Sequence, residues 1–448
     1  MKDIILVNLN TLIFNDRQNC NMGLASIEAY LQSHGVNCRV INHNQVDEYK
    51  DSSPVFAFSV SDFSYEFAAY WTDKLQDKMI IWGGWTASAL PEWLLQKNPG
   101  IDYVIMDEGE KRLYKLLKSC DEPELFAQLD GIAYRDFDNK IQIRPPAAYL
   151  NMDDLPYPGN LAVMNDLVFI ELSRGCYGKC KYCQENSRMR FKTAKRIAEE
   201  IEHWIDKGYD RFNIGNANSL TNGKLLAGVL DEIEYRQLYI QIALVGRPND
   251  VLRNQQVLER YFASRYIDLI FIEIGIEANA QRLLDLLGRT TTPQINEKAT
   301  QTLCKLKTNY SSSVKINANI ILFSHFEMTI HELIDNIRFL AVFGASRDVF
   351  STHLYGLAGT AIWQEMEQQG FTKQERFALE IREYPFTDRH VHKLHQKLVQ
   401  EPINNMLHSS RATVQDMQKI QHHCHDKLVD FYHLPDIYKA IMEYLEVD

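Results

Sequence analysis

A chain of 448 residues, 45% hydrophobic and 24% charged, carries enough apolar material for two or three domains with their own cores. Its formal net charge of −11 argues against a general nucleic-acid binder, which would show a basic footprint. Eight cysteines in this length do not make a disulfide framework, no apolar run reaches the roughly 18 residues of a membrane helix, and Met1–Val7 lacks the marks of a signal peptide. A soluble, cytoplasmic protein in a reducing compartment is expected, with neither membrane nor nucleic acid as partner.

Residues 1–125 alternate short apolar runs with amphipathic stretches, which predicts a doubly wound α/β domain. Strands are expected at Ile4–Asn8, Cys38–Ile41, Val55–Val60, Met79–Trp82 and Tyr103–Met106, with helices between them such as Leu24–Ser33 and Phe67–Gln76. Ligands of such a sheet sit at the carboxyl ends of the strands, here the loops after Val60, Trp82 and Met106. Residues 126–165 carry an expected hairpin, Gly131–Arg135 with Lys140–Arg144, and then Pro145-Pro146 and Leu155-Pro156-Tyr157-Pro158, which read as an extended linker. A second α/β alternation covers 166–365 and opens with a strand at Val168–Leu172. Residues 366–448 are expected to be helical. They hold two histidine groups, His390, His392 and His395, then His422, His423 and His425 around Cys424, whose irregular spacing fits an exposed or partner-facing helix better than a metal site.

The most specific signal directly follows that opening strand: Ser173-Arg174-Gly175-Cys176-Tyr177-Gly178-Lys179-Cys180-Lys181-Tyr182-Cys183. C-x3-C-x2-C spacing lets one tight loop supply three thiolates to one centre and leaves a fourth coordination position open. Thiolates suit soft, redox-active clusters, and an open position separates a catalytic metal site from a closed structural one. The alternatives are a zinc knuckle or a chance group of core cysteines, but zinc sites usually need a fourth Cys or His at comparable spacing and none follows locally. A cysteine loop directly after a first strand fits a partial βα barrel, whose chemistry gathers at the strand C-termini.

The motif resembles that of the radical S-adenosylmethionine (SAM) superfamily. The resemblance implies a partial (βα)6 barrel, a [4Fe-4S] cluster on Cys176, Cys180 and Cys183, and SAM bound at the open iron. It further implies one-electron cleavage to a 5′-deoxyadenosyl radical, hydrogen abstraction from an unreactive C–H bond, and a reductant such as flavodoxin or ferredoxin. Tyr182 would lie against the adenine. Asn216 and Asn218, where relatives carry acids, would accept from the methionyl amine; Arg247 would meet the SAM carboxylate; and Glu277, in Phe271–Ala278, would take the ribose hydroxyls. Glu273 is expected on the opposite side of that alternating strand, and Gly356-Leu357-Ala358-Gly359-Thr360 is expected to close the barrel.

The first 125 residues resemble the cobalamin (B12)-binding-type domain that precedes many radical SAM barrels. This makes cobalamin a candidate third cofactor, with Ser59, Ser61, Gly83, Gly84, Glu108 and Gly109 on the ligand loops. Glycine-rich loops also arise where a turn needs unusual backbone angles. Two departures stand out: Trp85 occupies a position where proline is usual, and Asn10–Asn21 contains none of the family's prolines. On those departures the leading expectation is cobalamin-free epimerisation of a peptide or other natural product, with Cys304 or Cys424 returning the hydrogen atom. The alternatives are a cobalamin-dependent C-methyltransferase, a radical dehydratase and, from another class, a non-catalytic Fe–S sensor. Arg188, Arg190 and Lys192 are candidate contacts for a peptide or small-molecule substrate.

Overall fold

Strands built from consecutive apolar residues must be covered on both faces, and the first sheet shows this directly. In the computed structural model, which describes residues 3–9, 20–122, 124–185, 188–215, 218–343, 352–371 and 386–396, the chain divides into two units. These are Met1–Phe169 with Leu357–Glu380, and Ile170–Gly356 with Ile381–Asp448.

The first unit holds β1 (Ile4–Asn8), β2 (Cys38–Asn42), β3 (Val55–Ser59), β4 (Met79–Gly83), β5 (Tyr103–Ile105), β6 (Ile132–Arg135) and β7 (Ile141–Arg144). Their order is β2-β1-β3-β4-β5-β6-β7. The first five run parallel. The β6–β7 hairpin adds antiparallel to β5, with Ile105 opposite Ile132, so it widens this sheet and is not part of a free linker. Ile5, Val7, Phe56, Phe58, Ile80 and Trp82 enter one core and Ile4, Leu6, Val55, Ala57 and Ile81 the other. Helices Tyr65–Lys74 and Pro91–Lys97 cover the first face, and Met22–Ser33 and Glu110–Lys118 the second. A 2-1-3-4-5 strand order reverses between β1 and β3, which opens a crevice at their carboxyl ends.

The loops on that edge are tied by a buried acid. Asp62, 3% exposed, accepts from the Thr86 hydroxyl after β4 and from the Ala358 backbone N–H at 2.6 Å. Ala358 is itself buried in the first unit's core. Within the Gly356–Thr360 run the chain passes at Leu357 into the first unit, where Asp62 captures it. Hydrogen bonds to a buried charge are each worth about 1.5–3 kcal/mol. Asp62→Ala should accordingly lower the denaturant stability of this unit by about 3 kcal/mol or more, and an unchanged unfolding midpoint would show that the tie contributes nothing.

The remaining strands are β8 (Val163–Met164), β9 (Leu167–Ile170), β10 (Ser173–Arg174), β11 (Arg190–Phe191), β12 (Arg211–Ile214), β13 (Ile240–Gly246), β14 (Ile267–Glu277) and β15 (Lys315–Ile320). The large sheet has the order β15-β14-β13-β12-β9-β8, with β12 to β15 parallel. A parallel bridge between Phe323 and His353 continues the pairing beyond β15. Helices Ala194–Ile205, Gly223–Arg236, Gln255–Ala263 and Pro293–Asn309 alternate with these strands, as a βα barrel requires. Among the described residues no helix is long and apolar enough to cross a membrane.

Of the two histidine groups, the second lies outside the described residues. In the first, His395 ends the helix Arg389–His395 and is 1% exposed, its ring 5.0 Å from Phe323, 5.0 Å from Phe386 and 5.2 Å from His353. This is aromatic packing. Burial lowers the pKa of His353 to about 4, and burial reinforced by His353 and His392 lowers that of His395 to about 3. A depressed histidine contributes stability above its unfolded value of 6.5 and loses it as pH falls toward the folded value. Relative to His395→Phe, the wild type should therefore lose about 2 kcal/mol between pH 7.5 and pH 5, read from denaturant midpoints. Parallel pH curves for the two proteins would contradict it.

Candidate functional site: a three-cysteine loop and a sheet-edge crevice

The cysteine loop has little apolar content, so its shape depends on ties to its surroundings. Its base is closed by a short antiparallel ladder of β10 and β11, Ser173 opposite Phe191 and Arg174 opposite Arg190. Its middle is held by Lys181, whose N–H donates to the Leu287 carbonyl at 2.9 Å. Gly288 follows with φ +68, and a Cβ there would lie 2.7 Å from the Lys179 carbonyl oxygen, so only glycine lets the two backbones approach this closely.

The third tie is polar. Asp250 is fully buried and accepts from the Tyr177 hydroxyl at 2.8 Å, from Asn218 Nδ2 at 2.5 Å and from Arg253. Two buried arginines flank the thiols. Arg247, 6% exposed, reaches Cys180 Sγ with Nη2 at 3.8 Å and lies 5.1 Å over the Tyr177 ring. Arg289, 7% exposed, reaches the same sulfur with Nη1 at 3.6 Å and donates through Nη2 to the Gly275 carbonyl.

Cys176, Cys180 and Cys183 are all half-buried and free of disulfides. Burial raises the Cys183 thiol, a hydrogen bond from the Glu185 N–H opposes this, and the neighbouring Cys180 and Cys176 add to the rise. Among the described residues no three His, Cys, Asp or Glu side chains converge on a single-ion site. An iron–sulfur cube offers each thiolate its own iron, so the donors need not meet at a point. Three neighbouring thiols with two buried arginines beside Cys180 fit such a soft, anionic cluster.

The residues expected around SAM gather beside this loop. Glu277 ends β14 with φ +68, an uncommon backbone state for a non-glycine residue and one associated with functional sites. Its carboxylate lies 3.9 Å from Arg289 and takes a hydrogen bond from Tyr182. Burial raises the Glu277 carboxyl, with Arg289 and Tyr182 opposing. Burial, and then the Glu277 charge, hold the Tyr182 hydroxyl well above the usual tyrosine value, so it remains a donor. Arg247 Nη1 and Asn218 Oδ1 are buried without a hydrogen-bond partner among the described residues, leaving one donor and one acceptor for a zwitterionic ligand. Asn216 lies outside the described residues.

Glu273 requires a correction. It lies on the same partly open side as Glu277: Ile272, Ile274 and Ile276 are buried while Glu273, Gly275 and Glu277 are partly open, and beyond the register shift after Gly275 the Glu277 carboxylate turns back over Gly275. Lys192 is not available to a substrate, because it is 5% exposed and paired at 2.5 Å with the fully buried Glu200. Arg188 is exposed, and Arg190 lies in β11. Cys304 is exposed on the helix Pro293–Asn309, whose buried side is Asn296, Ala299, Thr300, Leu303 and Leu306. Cys424 lies outside the described residues. Asp250 and Arg289 had no role assigned from sequence; an acid two residues after a Pro at a helix start, and an arginine following a tight glycine turn, were the available signals.

In the first unit, Asn8 and Ser59 are register partners at the crevice between β1 and β3. Asn21 Nδ2 lies 3.2 Å from Asn8 Oδ1 and 3.5 Å from Ser59 Oγ, while Asn21 Oδ1 caps the helix Met22–Ser33. Ser61 turns back on Ser64, whose Oγ accepts from its N–H at 2.9 Å. Gly83 accepts from the Val60 N–H at 2.7 Å, and Gly84, φ +99, lies so close that a Cβ would be 2.6 Å from the Val60 carbonyl oxygen. Gly84 is thus demanded by the fold itself, whatever ligand binds. Trp85 begins the next helix and is 50% exposed. Glu108 is half-buried, and its carbonyl accepts from Arg112; Gly109 is buried at the start of the helix Glu110–Lys118.

Removing Asp250 tests the cysteine loop. Asp250→Ala leaves the Tyr177 hydroxyl without its acceptor and Asn218 Nδ2 with Thr221 Oγ1 alone, at a cost of about 3 kcal/mol or more, and should lower the iron retained after anaerobic reconstitution and a chelator challenge. Tyr177→Phe, which removes one bond, should lose less. Iron retention equal to wild type in both variants would exclude this role.

Two family models match the chain: the radical SAM superfamily over residues 170–340 and the B12 binding domain over residues 18–117. An anaerobic magnesium-protoporphyrin IX monomethyl ester cyclase from Synechocystis sp. is 27% identical over 42% of this chain and 40% of its own length. An uncharacterized methyltransferase from Pyrococcus horikoshii is 24% identical over 51% of this chain and 52% of its own length. The chain thus spans about half the length, or less, of these curated relatives. Among solved structures, the cobalamin-dependent S-adenosylmethionine radical enzyme OxsB with aqua-cobalamin and S-adenosylmethionine bound has a TM-score of 0.71 at 16% identity, covering 96% of this chain and 71% of that one. The radical S-adenosylmethionine methyltransferase TsrM from Kitasatospora setae, with cobalamin and a [4Fe-4S] cluster bound, has a TM-score of 0.61 at 15% identity, covering 82% and 74%. These structural likenesses concern the fold. A radical SAM domain implies a [4Fe-4S] cluster and SAM, and the three-cysteine loop with its buried arginines supplies the matching donors. The chain thus combines a B12-binding domain, matched over residues 18–117, with a radical SAM domain, matched over residues 170–340.

Proposed function

We propose that this protein is a cobalamin-dependent radical SAM enzyme that transfers a methyl group to carbon. The observation that carries this is the presence on one chain of both donor sets, the three-cysteine loop with its arginines and the Asn8, Asn21 and Ser59 crevice at a 2-1-3-4-5 switch point. When bound, the cluster supplies the electron that cleaves SAM to a 5′-deoxyadenosyl radical, and the cobalamin supplies the methyl group. Cys176, Cys180 and Cys183 hold the cluster, Arg247 and Arg289 offset its charge, and Asn218, Arg247, Tyr182 and Glu277 orient SAM. The methyltransferases among the relatives and structural neighbours support this choice. Epimerisation by thiol return has less support, because Cys304, the other described cysteine of the second unit, is exposed on an outer helix.

The test is anaerobic reconstitution with hydroxocobalamin, SAM carrying a deuterated methyl group, and reductant. Corrinoid should co-elute with the protein, and both 5′-deoxyadenosine and S-adenosylhomocysteine should form, the latter only when corrinoid is retained. Each of Cys176→Ala, Cys180→Ala and Cys183→Ala should abolish 5′-deoxyadenosine. A protein that keeps its cluster but retains no corrinoid would overturn the methyltransferase in favour of a cobalamin-free route. 5′-Deoxyadenosine without S-adenosylhomocysteine would remove methyl donation.

A further inference from the structure

The partly open face of β14 continues across to β15. Glu273 pairs in register with Asn317, and Gly275 with Asn319; on β15, Lys315, Asn317 and Asn319 are exposed while Ala318 and Ile320 are buried. One side of this strand pair is therefore apolar and covered, and the other is polar and open, on the same side as Glu277. The two glutamates of β14 differ in their partners. Glu277 has Arg289 and Tyr182. Glu273 has Asn319, whose Nδ2 donates at 2.5 Å, and among the described residues it pairs with no cation.

This is a costly place for a lone anion. Burial raises the Glu273 carboxyl, and a single amide donor opposes it. A half-buried carboxylate satisfied by one neutral donor keeps lone pairs and charge for something else, and a cation compensates it better than a hydroxyl would. Lys315 stands two residues along β15 from the Glu273 partner position but makes no ion pair with it. The Glu277 carboxylate turns back over Gly275, where a Cβ would lie 2.5 Å from its Oε1, so the two carboxylates border one short stretch of this face, and Glu273 adds to the rise of the Glu277 carboxyl.

We infer that Glu273 and Asn319 form a subsite for the ammonium group of an amine-bearing substrate, holding that end while the reacting carbon lies toward Glu277. The inference rests on the proposed assignment of Glu277 to SAM. Glu273 would accept the ammonium, and Asn319 would fix the carboxylate's orientation and add its own carbonyl oxygen as a second acceptor. A substrate of this kind is selected by charge at one end, with no demand on the chemistry of the carbon that reacts.

The test uses the full chain with reconstituted cluster and SAM, and two probes of equal length, n-hexylamine and 1-hexanol. Saturation-transfer NMR titrations should show saturable binding of the amine that weakens about tenfold or more in Glu273→Gln, while the alcohol binds weakly and equally to both proteins. Asn319→Asp adds a second negative charge and should tighten the amine severalfold, which keeps the test decisive if Glu273→Gln is poorly folded. Amine binding that is absent, or equal in wild type, Glu273→Gln and Asn319→Asp, would overturn the subsite, as would alcohol binding as tight as the amine. The readout is equilibrium binding, so a wild type that holds the amine by Glu273 yet forms no 5′-deoxyadenosine keeps the subsite and removes the proposed reaction.

Discussion

A buried aspartate, Asp250, is the constraint on which the cysteine loop depends. Its carboxylate has no solvent to turn to, and it takes hydrogen bonds from Tyr177 in the loop, Asn218 after β12 and Arg253 on its own short helix. Three donors on one buried charge hold three separate backbone segments to a common point, with each bond worth more than its surface equivalent because the local dielectric is low. The loop itself offers few apolar contacts that could do this. The β10–β11 ladder closes its base and the Gly288 turn supports its middle, but neither reaches Tyr177.

The first unit solves the same problem in the same way. Asp62 is buried, ties the loop after β4 through Thr86, and captures Ala358 of a segment that is nearly 300 residues away in sequence. Gly84 completes the arrangement by letting two loop backbones come within van der Waals distance. In both units the ligand edge of a sheet is held rigid by one acid beneath the loops, leaving the loop surfaces and the exposed side chains above for ligands. This is preorganisation of a site by its supporting residues.

Charge along β14 is graded in a manner that follows from those supports. Glu277 is balanced by Arg289, which also touches Cys180, so the cluster end of the strand is internally neutralised. Glu273 is left to Asn319. Lys192 and Glu200 are balanced against one another in the barrel wall, where removing one partner would strand the other.

Local chemistry was legible in the sequence. The three-cysteine spacing places its donors within one turn of chain, and the paired apolar runs of residues 4–106 read as strands because both sheet faces are buried, giving bounds within about two residues of those observed. The side of β14 that Glu273 shares with Glu277 was not legible from spacing, because a register shift between Gly275 and Glu277 interrupts the regular alternation. What the tertiary structure alone decided are the long-range pairings: Asp62 with Ala358, Asp250 with Tyr177, Arg289 with Cys180, and the exclusion of Lys192 and Cys304 from the open face. A lone Asp or Arg carries no periodicity or spacing that announces its partner. Whether such a charge is a solvated surface group or a buried clasp depends on desolvation, and desolvation exists only once distant segments have packed around it.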